Sequence, residues 1–96
     1  MVLNIQSIKF NASEKLEAYV QKKIAKLEKL CGENSIVDVF MKLVKPETAV
    51  NKEVEIKVKT SDSDFFASKV CDTFEEAIDK TIEALQKQII KQKNKK

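Results

Sequence analysis

Hydrophobic spacing divides the chain into six segments. In Val2–Ile8 (VLNIQSI), Leu3 and Ile5 share one side while Asn4 and Gln6 share the other, the two-residue period of a strand. Asn11-Ala12-Ser13 interrupts this pattern, and Ser13 suits a helix N-cap. Between Glu14 and Cys31 the period lengthens. Leu16, Val20, Ile24, Leu27 and Cys31 form the apolar stripe of a helix, and Gly32 marks its end. Ile36–Val44 returns to alternation, with Val37, Val39, Met41 and Leu43 on one face and Ile36, Asp38, Phe40, Lys42 and Val44 on the other. Lys45–Asn51 holds the only proline, Pro46, and reads as a hairpin loop. Glu53–Thr60 is the clearest strand, with Val54, Ile56 and Val58 inward and Glu53, Glu55, Lys57 and Lys59 outward. Ser61-Asp62-Ser63 is a turn. Asp64–Cys71 follows as a fourth strand, with Phe66 and Val70 expected inward.

The last quarter is one long helix. Asp72 with Glu75 three positions later resembles a capping box, which predicts Asp72 as a structural N-cap. Phe74, Ala77, Ile78, Thr81, Leu85 and Ile89 then form the core-facing stripe. The order is β-α-β-β-β-α. A right-handed crossover through the first helix makes strands one and two parallel, and hairpins add the next two antiparallel. Both helix stripes need the same sheet face. The expectation is an α+β two-layer sandwich, a four-stranded mixed sheet with two helices on one face. Residues 1–92 read as a single domain and 93–96 as a lysine-rich tail.

Charge is distributed unevenly. Residues 1–85 carry 13 lysines against all 15 acids, and residues 86–96 carry five lysines and no acid. In the last helix, acids lead (Glu75, Glu76, Asp79, Glu83) and bases follow (Lys87, Lys91, Lys93, Lys95, Lys96), an order that suits the helix dipole. Five bases exceed what a dipole requires and suggest a polyanionic partner. The first helix segregates too. Lys15, Lys22, Lys26 and Lys29 lie within about 60° of one another on a helical wheel, away from an acidic flank of Glu14, Glu17, Gln21 and Glu28. Like charges at that spacing repel by a few tenths of a kcal/mol, which an anion facing the stripe relieves. Tyr19 borders the apolar and lysine stripes as a core-edge residue.

Composition limits the chemistry. The chain has 96 residues, 43% hydrophobic and 34% charged, with a net charge of +3. That balance is typical of a folded soluble protein. All 18 basic residues are lysine, with no histidine and no arginine. The commonest general base is therefore missing, as is the guanidinium fork that reads guanine or clamps phosphate. A single glycine, Gly32, excludes a glycine-rich phosphate loop. Cys31 and Cys71 have no metal-ligand spacing and no evident base beside them, and they read as reduced packing thiols. The expectation is a binding protein, not an enzyme, with no cofactor and no metal. No apolar run approaches the roughly 18–20 residues of a membrane span, and the start lacks a signal-peptide pattern, so a cytoplasmic protein without a membrane partner is expected.

Several short stretches resemble the ribosome hibernation-promoting factor family, also called the ribosome-associated inhibitor or sigma-54 modulation type. They are Leu3-Asn4-Ile5, Ala25-Lys26-Leu27-Glu28-Lys29 and, most strongly, Asp72-Thr73-Phe74-Glu75-Glu76-Ala77-Ile78-Asp79 with Leu85 and Gln88 following. The resemblance covers nearly the whole chain and implies a fold similar to double-stranded-RNA-binding domains. It implies a stress-response role: binding to small-subunit rRNA in the decoding region, where the protein sterically blocks mRNA and tRNA. Three positions depart from the family pattern. Phe74 stands where tyrosine is usual, Ala84 where lysine is frequent, and Lys87 where arginine is frequent. The chain resembles the short form of the family, which lacks a second dimerising domain; it is expected to be monomeric off the ribosome and not to join two ribosomes.

Lysine is a point charge suited to phosphate, and A-form RNA is read largely through its shape and backbone. The expected rRNA-binding residues are Lys22, Lys26 and Lys29 from the first helix, with Lys87, Lys91 and Lys95 from the second. Two other readings remain. One is a protein-interaction module on the outer sheet face around Phe40, Lys57 and Lys59. The other is a generic double-stranded-RNA-binding domain.

Overall fold

The computed structural model describes residues 2–8, 12–32, 34–44, 50–61 and 63–94. The hairpin loop expected around Pro46, residue Asp62 of the next turn and Lys95 lie outside them. The elements are β1 (Val2–Ile8), α1 (Glu14–Cys31), β2 (Ile36–Leu43), β3 (Lys52–Lys59), β4 (Asp64–Cys71) and α2 (Phe74–Asn94). The sheet runs in the order β1-β2-β3-β4, with β1 parallel to β2 and the other two pairs antiparallel. This is the expected α+β arrangement.

Local chemistry sets the ends of α1. The Ser13 hydroxyl accepts from the Leu16 N–H at 3.1 Å, satisfying one of the otherwise unpaired first-turn donors. At the other end Gly32 adopts φ +86°, which favours glycine, and its N–H bonds the Glu28 carbonyl at 3.0 Å. The Ser35 hydroxyl donates to the Gly32 carbonyl at 2.9 Å, pinning the entry into β2.

The core lies between the sheet and the helix layer. Val20, Ile24 and Leu27 of α1, Val37, Val39 and Met41 of β2, Val54, Ile56 and Val58 of β3, and Ile78, Leu85 and Ile89 of α2 form one buried cluster. Each fully buried side chain of this size contributes about 1.5–3 kcal/mol relative to exposure, so this shared core holds both helices to one face. α2 lies over β3 and β4, and α1 packs beside α2. Phe74 is 9% exposed and belongs to the core. Thr81 is buried, with its hydroxyl satisfied by the Ala77 carbonyl one turn back.

Two expectations are corrected. The cap of α2 is Thr73, not Asp72. The Thr73 hydroxyl accepts from the Glu76 N–H at 3.1 Å, and its carbonyl accepts from the Ala77 N–H at 3.1 Å, placing Asp72 one residue outside the helix. The second correction concerns β4. Antiparallel partners share a sheet face, and the register sets Phe65 opposite Val58, Ala67 opposite Ile56 and Lys69 opposite Val54. The inward residues are therefore Phe65, Ala67 and Cys71, while Phe66 and Val70 are 48% and 41% exposed on the outer face. Hydrophobicity does not separate the two faces of β4, and α2 covers the one that carries Phe65, Ala67 and Cys71.

Candidate nucleic-acid interface

The two helices run parallel. Tyr19 of α1 contacts Asp79 of α2, and farther along the same direction Ala25, Lys26 and Lys29 share a shallow groove with Gln86. Lys26 and Lys29 therefore border the seam between the helices, and Lys22, one turn before Lys26, continues the row on the outer side of α1. Lys22, Lys26 and Lys29 are all exposed, and none forms an ion pair among the described residues.

One anchor crosses the seam at the upstream end of that row. The Tyr19 hydroxyl donates to Asp79, whose carboxylate oxygens lie at 2.9 and 2.8 Å. Lys23 pairs with the same carboxylate at 3.6 Å and sits 5.3 Å from the Tyr19 ring centre, within cation–π range. Burial, and then the bond to Asp79, raises the Tyr19 pKa. Lys23 is thus neutralised by protein, whereas its neighbours Lys22 and Lys26 remain available to a ligand.

The lysines of α2 occupy its other flank. Lys69 of β4, Lys80, Glu83, Ala84 and Lys87 line one hollow, and the Gln88 amide donates to the Phe66 carbonyl at 3.0 Å on the same β4 side. Lys91, one turn beyond Lys87, continues this flank and is exposed. Lys80 bonds Glu76 at 3.3 Å, a contact that raises the lysine pKa, and Lys87 lies 3.9 Å from Glu83. Both are exposed i,i+4 pairs that a phosphate can displace at small cost. The structure therefore brings Lys22, Lys26 and Lys29 together, and separately Lys87 and Lys91, as two ridges on opposite flanks of α2. Lys95 lies outside the described residues.

The sequence reading passed over Lys69 and Lys80. The signal for Lys69 was the strand alternation itself, because once Ala67 is inward, Lys69 must lie on the helix side. The outer sheet face is mixed in charge. Lys42 sits between Glu53 at 3.6 Å and Glu55 at 3.2 Å, with its pKa raised first by the hydrogen bond to Glu55, and Asn4 bonds Asp38 at 2.9 Å. Exposed Lys57 and Lys59 stand in register with Asp38 and Asp64. Each of these outer-face lysines thus has an acid opposite it on a neighbouring strand.

The sequence signature of the family described as sigma 54 modulation protein / S30EA ribosomal protein matches residues 3–96. The chain belongs to this family. It is therefore a member of a ribosome-associated, hibernation-factor family. No curated protein matches the sequence significantly. Among solved structures, the N-terminal domain of Protein Y from Thermus thermophilus is 18% identical, with a TM-score of 0.82 over 95% of this chain and 98% of that one. A ribosomal subunit interface protein from Coxiella burnetii is also 18% identical, with a TM-score of 0.82 over 99% of this chain and 100% of that one. At that identity the likeness concerns the fold. The hibernation-factor resemblance seen in the sequence and the two-layer architecture agree with both results. No helix among the described residues is long and apolar enough to cross a membrane.

Proposed function

We propose that this protein binds small-subunit rRNA phosphates in the decoding region through its helix layer, and that it silences the ribosome by occupying the space of mRNA and tRNA. The observation that carries this reading is the exposed row of Lys22, Lys26 and Lys29, which has no ion-pair partner among the described residues and borders the helix seam at Lys26 and Lys29. An unpaired like-charged row costs free energy in the unbound protein, and a phosphate backbone converts that cost into affinity by releasing counterions. Lys87 and Lys91 extend the contact along the second ridge. Inhibition is steric, needs no catalytic group or cofactor, and takes place in the cytoplasm. The protein binds as a monomer.

The test is affinity for purified small subunits across a salt series, with tRNA as competitor. Neutralising about five phosphates gives a slope of log K against log salt of roughly −3.5 to −4.5. A slope near zero removes the lysine surface as the source of affinity. Simultaneous, non-competing binding of protein and tRNA refutes occlusion whatever the slope. Free duplex RNA is the control, and equal affinity for it supports generic RNA binding instead. A second reading, protein docking on the outer sheet face, is favoured by the exposure of Phe66 and Val70 there. It requires binding that is indifferent to salt and lost on Phe66→Ser.

A further inference from the structure

The two edges of the sheet are unequally protected. At the β4 edge, the Gln88 side chain takes the Phe66 carbonyl, and Lys69 and Asp64 bring charge to the strand. Charge and side-chain capping are common ways of blocking unwanted strand pairing. Among the described residues, β1 at the other edge has neither. Val2–Ile8 contains no charge, proline or glycine over its length.

Pairing to β2 fixes which backbone groups face outward. The Val2 N–H donates to the Ser35 carbonyl, while Val2 stands in register with Ile36. In a parallel ladder, alternate residues bond the same neighbour, so Val2, Asn4, Gln6 and Ile8 serve β2. Leu3, Ile5 and Ser7 present their N–H and C=O groups to the open side. Their side chains leave the edge incomplete as well. Leu3 and Ile5 are only partly buried against the core, although their register partners Val37 and Val39 are 0% exposed.

The helix above this edge indicates which strand fits. α1 turns Tyr19, Lys26 and Lys29 toward α2. At about 100° per residue, Glu17, Gln21 and Glu28 fall on the opposite flank, away from α2 and toward the β1 side of the sheet. All three are exposed. A second copy of the chain paired through β1 would bring two such acidic flanks together, whereas a cationic strand meets them favourably. From the open edge, the half-covered Leu3 and Ile5, and the acidic flank, we infer that β1 is a docking edge for an extended, lysine- or arginine-rich polypeptide segment, which adds as a fifth strand. The β1 edge itself carries none of the ridge lysines, so one molecule can hold an RNA and a basic protein segment at once.

The probe is a synthetic peptide alternating lysine with valine and threonine. Its controls are a twin with glutamate at each lysine and a third version N-methylated on alternate amides. Binding is followed through backbone amide signals of the whole protein. The lysine peptide should perturb Leu3, Ile5 and Ser7 and slow exchange of their amides, and both controls should bind at least about fivefold more weakly. Ser7→Pro removes one outward N–H at an edge position that tolerates proline, and should weaken binding by a similar factor. Glu17→Lys with Glu28→Lys should abolish the preference for lysine over glutamate peptide. Perturbations confined to the outer sheet face, or equal affinity for the N-methylated peptide, overturn the proposal. Self-association of the protein alone through β1 overturns it in favour of a second copy.

Discussion

Tyr19 and Asp79 are 60 positions apart in the chain, yet the phenol donates to both carboxylate oxygens and ties α1 to α2. Tyr19 is the only tyrosine, so its ionisation can be read directly from phenolate absorbance. Burial and the Asp79 contact raise its pKa above 10.0, and the folded state therefore holds the phenol proton more tightly than the unfolded state. The stability gained is fully present below pH 10 and is lost as pH rises through the folded-state pKa. The expected titration midpoint lies above 10.0 and moves down in Asp79→Asn, with burial retaining part of the shift. A midpoint at 10.0 in the folded wild type contradicts the contact.

Tyr19→Phe keeps the ring beside Lys23 and removes only the hydroxyl. The pair is exposed, so the expected loss is about 0.5–1.5 kcal/mol in urea denaturation at neutral pH. The loss should shrink above pH 10, where the wild-type phenol ionises. An equal loss at every pH attributes the effect to packing instead.

Capping provides a paired comparison within two adjacent residues. Thr73→Ala removes the oxygen that accepts from the Glu76 N–H, with an expected cost of about 0.5–2 kcal/mol. Asp72→Ala should cost only the smaller interaction of an exposed carboxylate with the helix N-terminus, about 0.3–1 kcal/mol and reduced by salt. Both are measured by the denaturation midpoint at constant m-value. A larger loss for Asp72→Ala restores Asp72 as the cap.

The sequence made the fold legible wherever one rule acted alone. Ser13 and Gly32 bound a single apolar stripe, and α1 begins and ends where they place it. Val54, Ile56 and Val58 alternate with charges, leaving one register for β3. β4 was less legible because both of its faces carry an aromatic and other apolar side chains, so the face was decided by packing beneath α2. Asp72-Thr73 offered two good caps in a row, and the alignment of the helix with its core stripe chose the second. Family resemblance and charge segregation pointed to the helix layer. The division of its lysines into two ridges depended on which flank of each helix meets the other, which requires the Tyr19–Asp79 contact.

The β4 register has its own consequence. Ala67 lies beneath α2 and is 8% exposed, whereas Phe66 is 48% exposed on the opposite face. Ala67→Phe should destabilise the fold by about 1–3 kcal/mol through overpacking, while Phe66→Ser stays within roughly 0.5 kcal/mol. Thermal and urea denaturation of both variants decide this. The reverse ranking returns Phe66 to the core.

The two lysine ridges make a more demanding prediction for ribosome binding. Lys26 and Lys29 border the seam with Lys22 continuing their row on α1, while Lys87 and Lys91 stand on the other flank of α2 with Lys69 and Lys80 nearby. An RNA that fills the decoding channel must engage both ridges, whereas a duplex lying along the seam needs only the first. Lys22→Glu with Lys26→Glu should weaken small-subunit binding by at least about tenfold at low salt. Lys87→Glu with Lys91→Glu should do the same. The ridges share no ion-pair partner among the described residues, so the free-energy losses should add in the fourfold variant, within about 0.5 kcal/mol. Each loss should shrink as salt screens the reversed charges. Reversing Lys57 and Lys59, which already face Asp38 and Asp64 on the outer sheet, should have much less effect. If either helix pair is silent, the RNA contacts one ridge alone, and the steric block cannot depend on the full width of the helix layer.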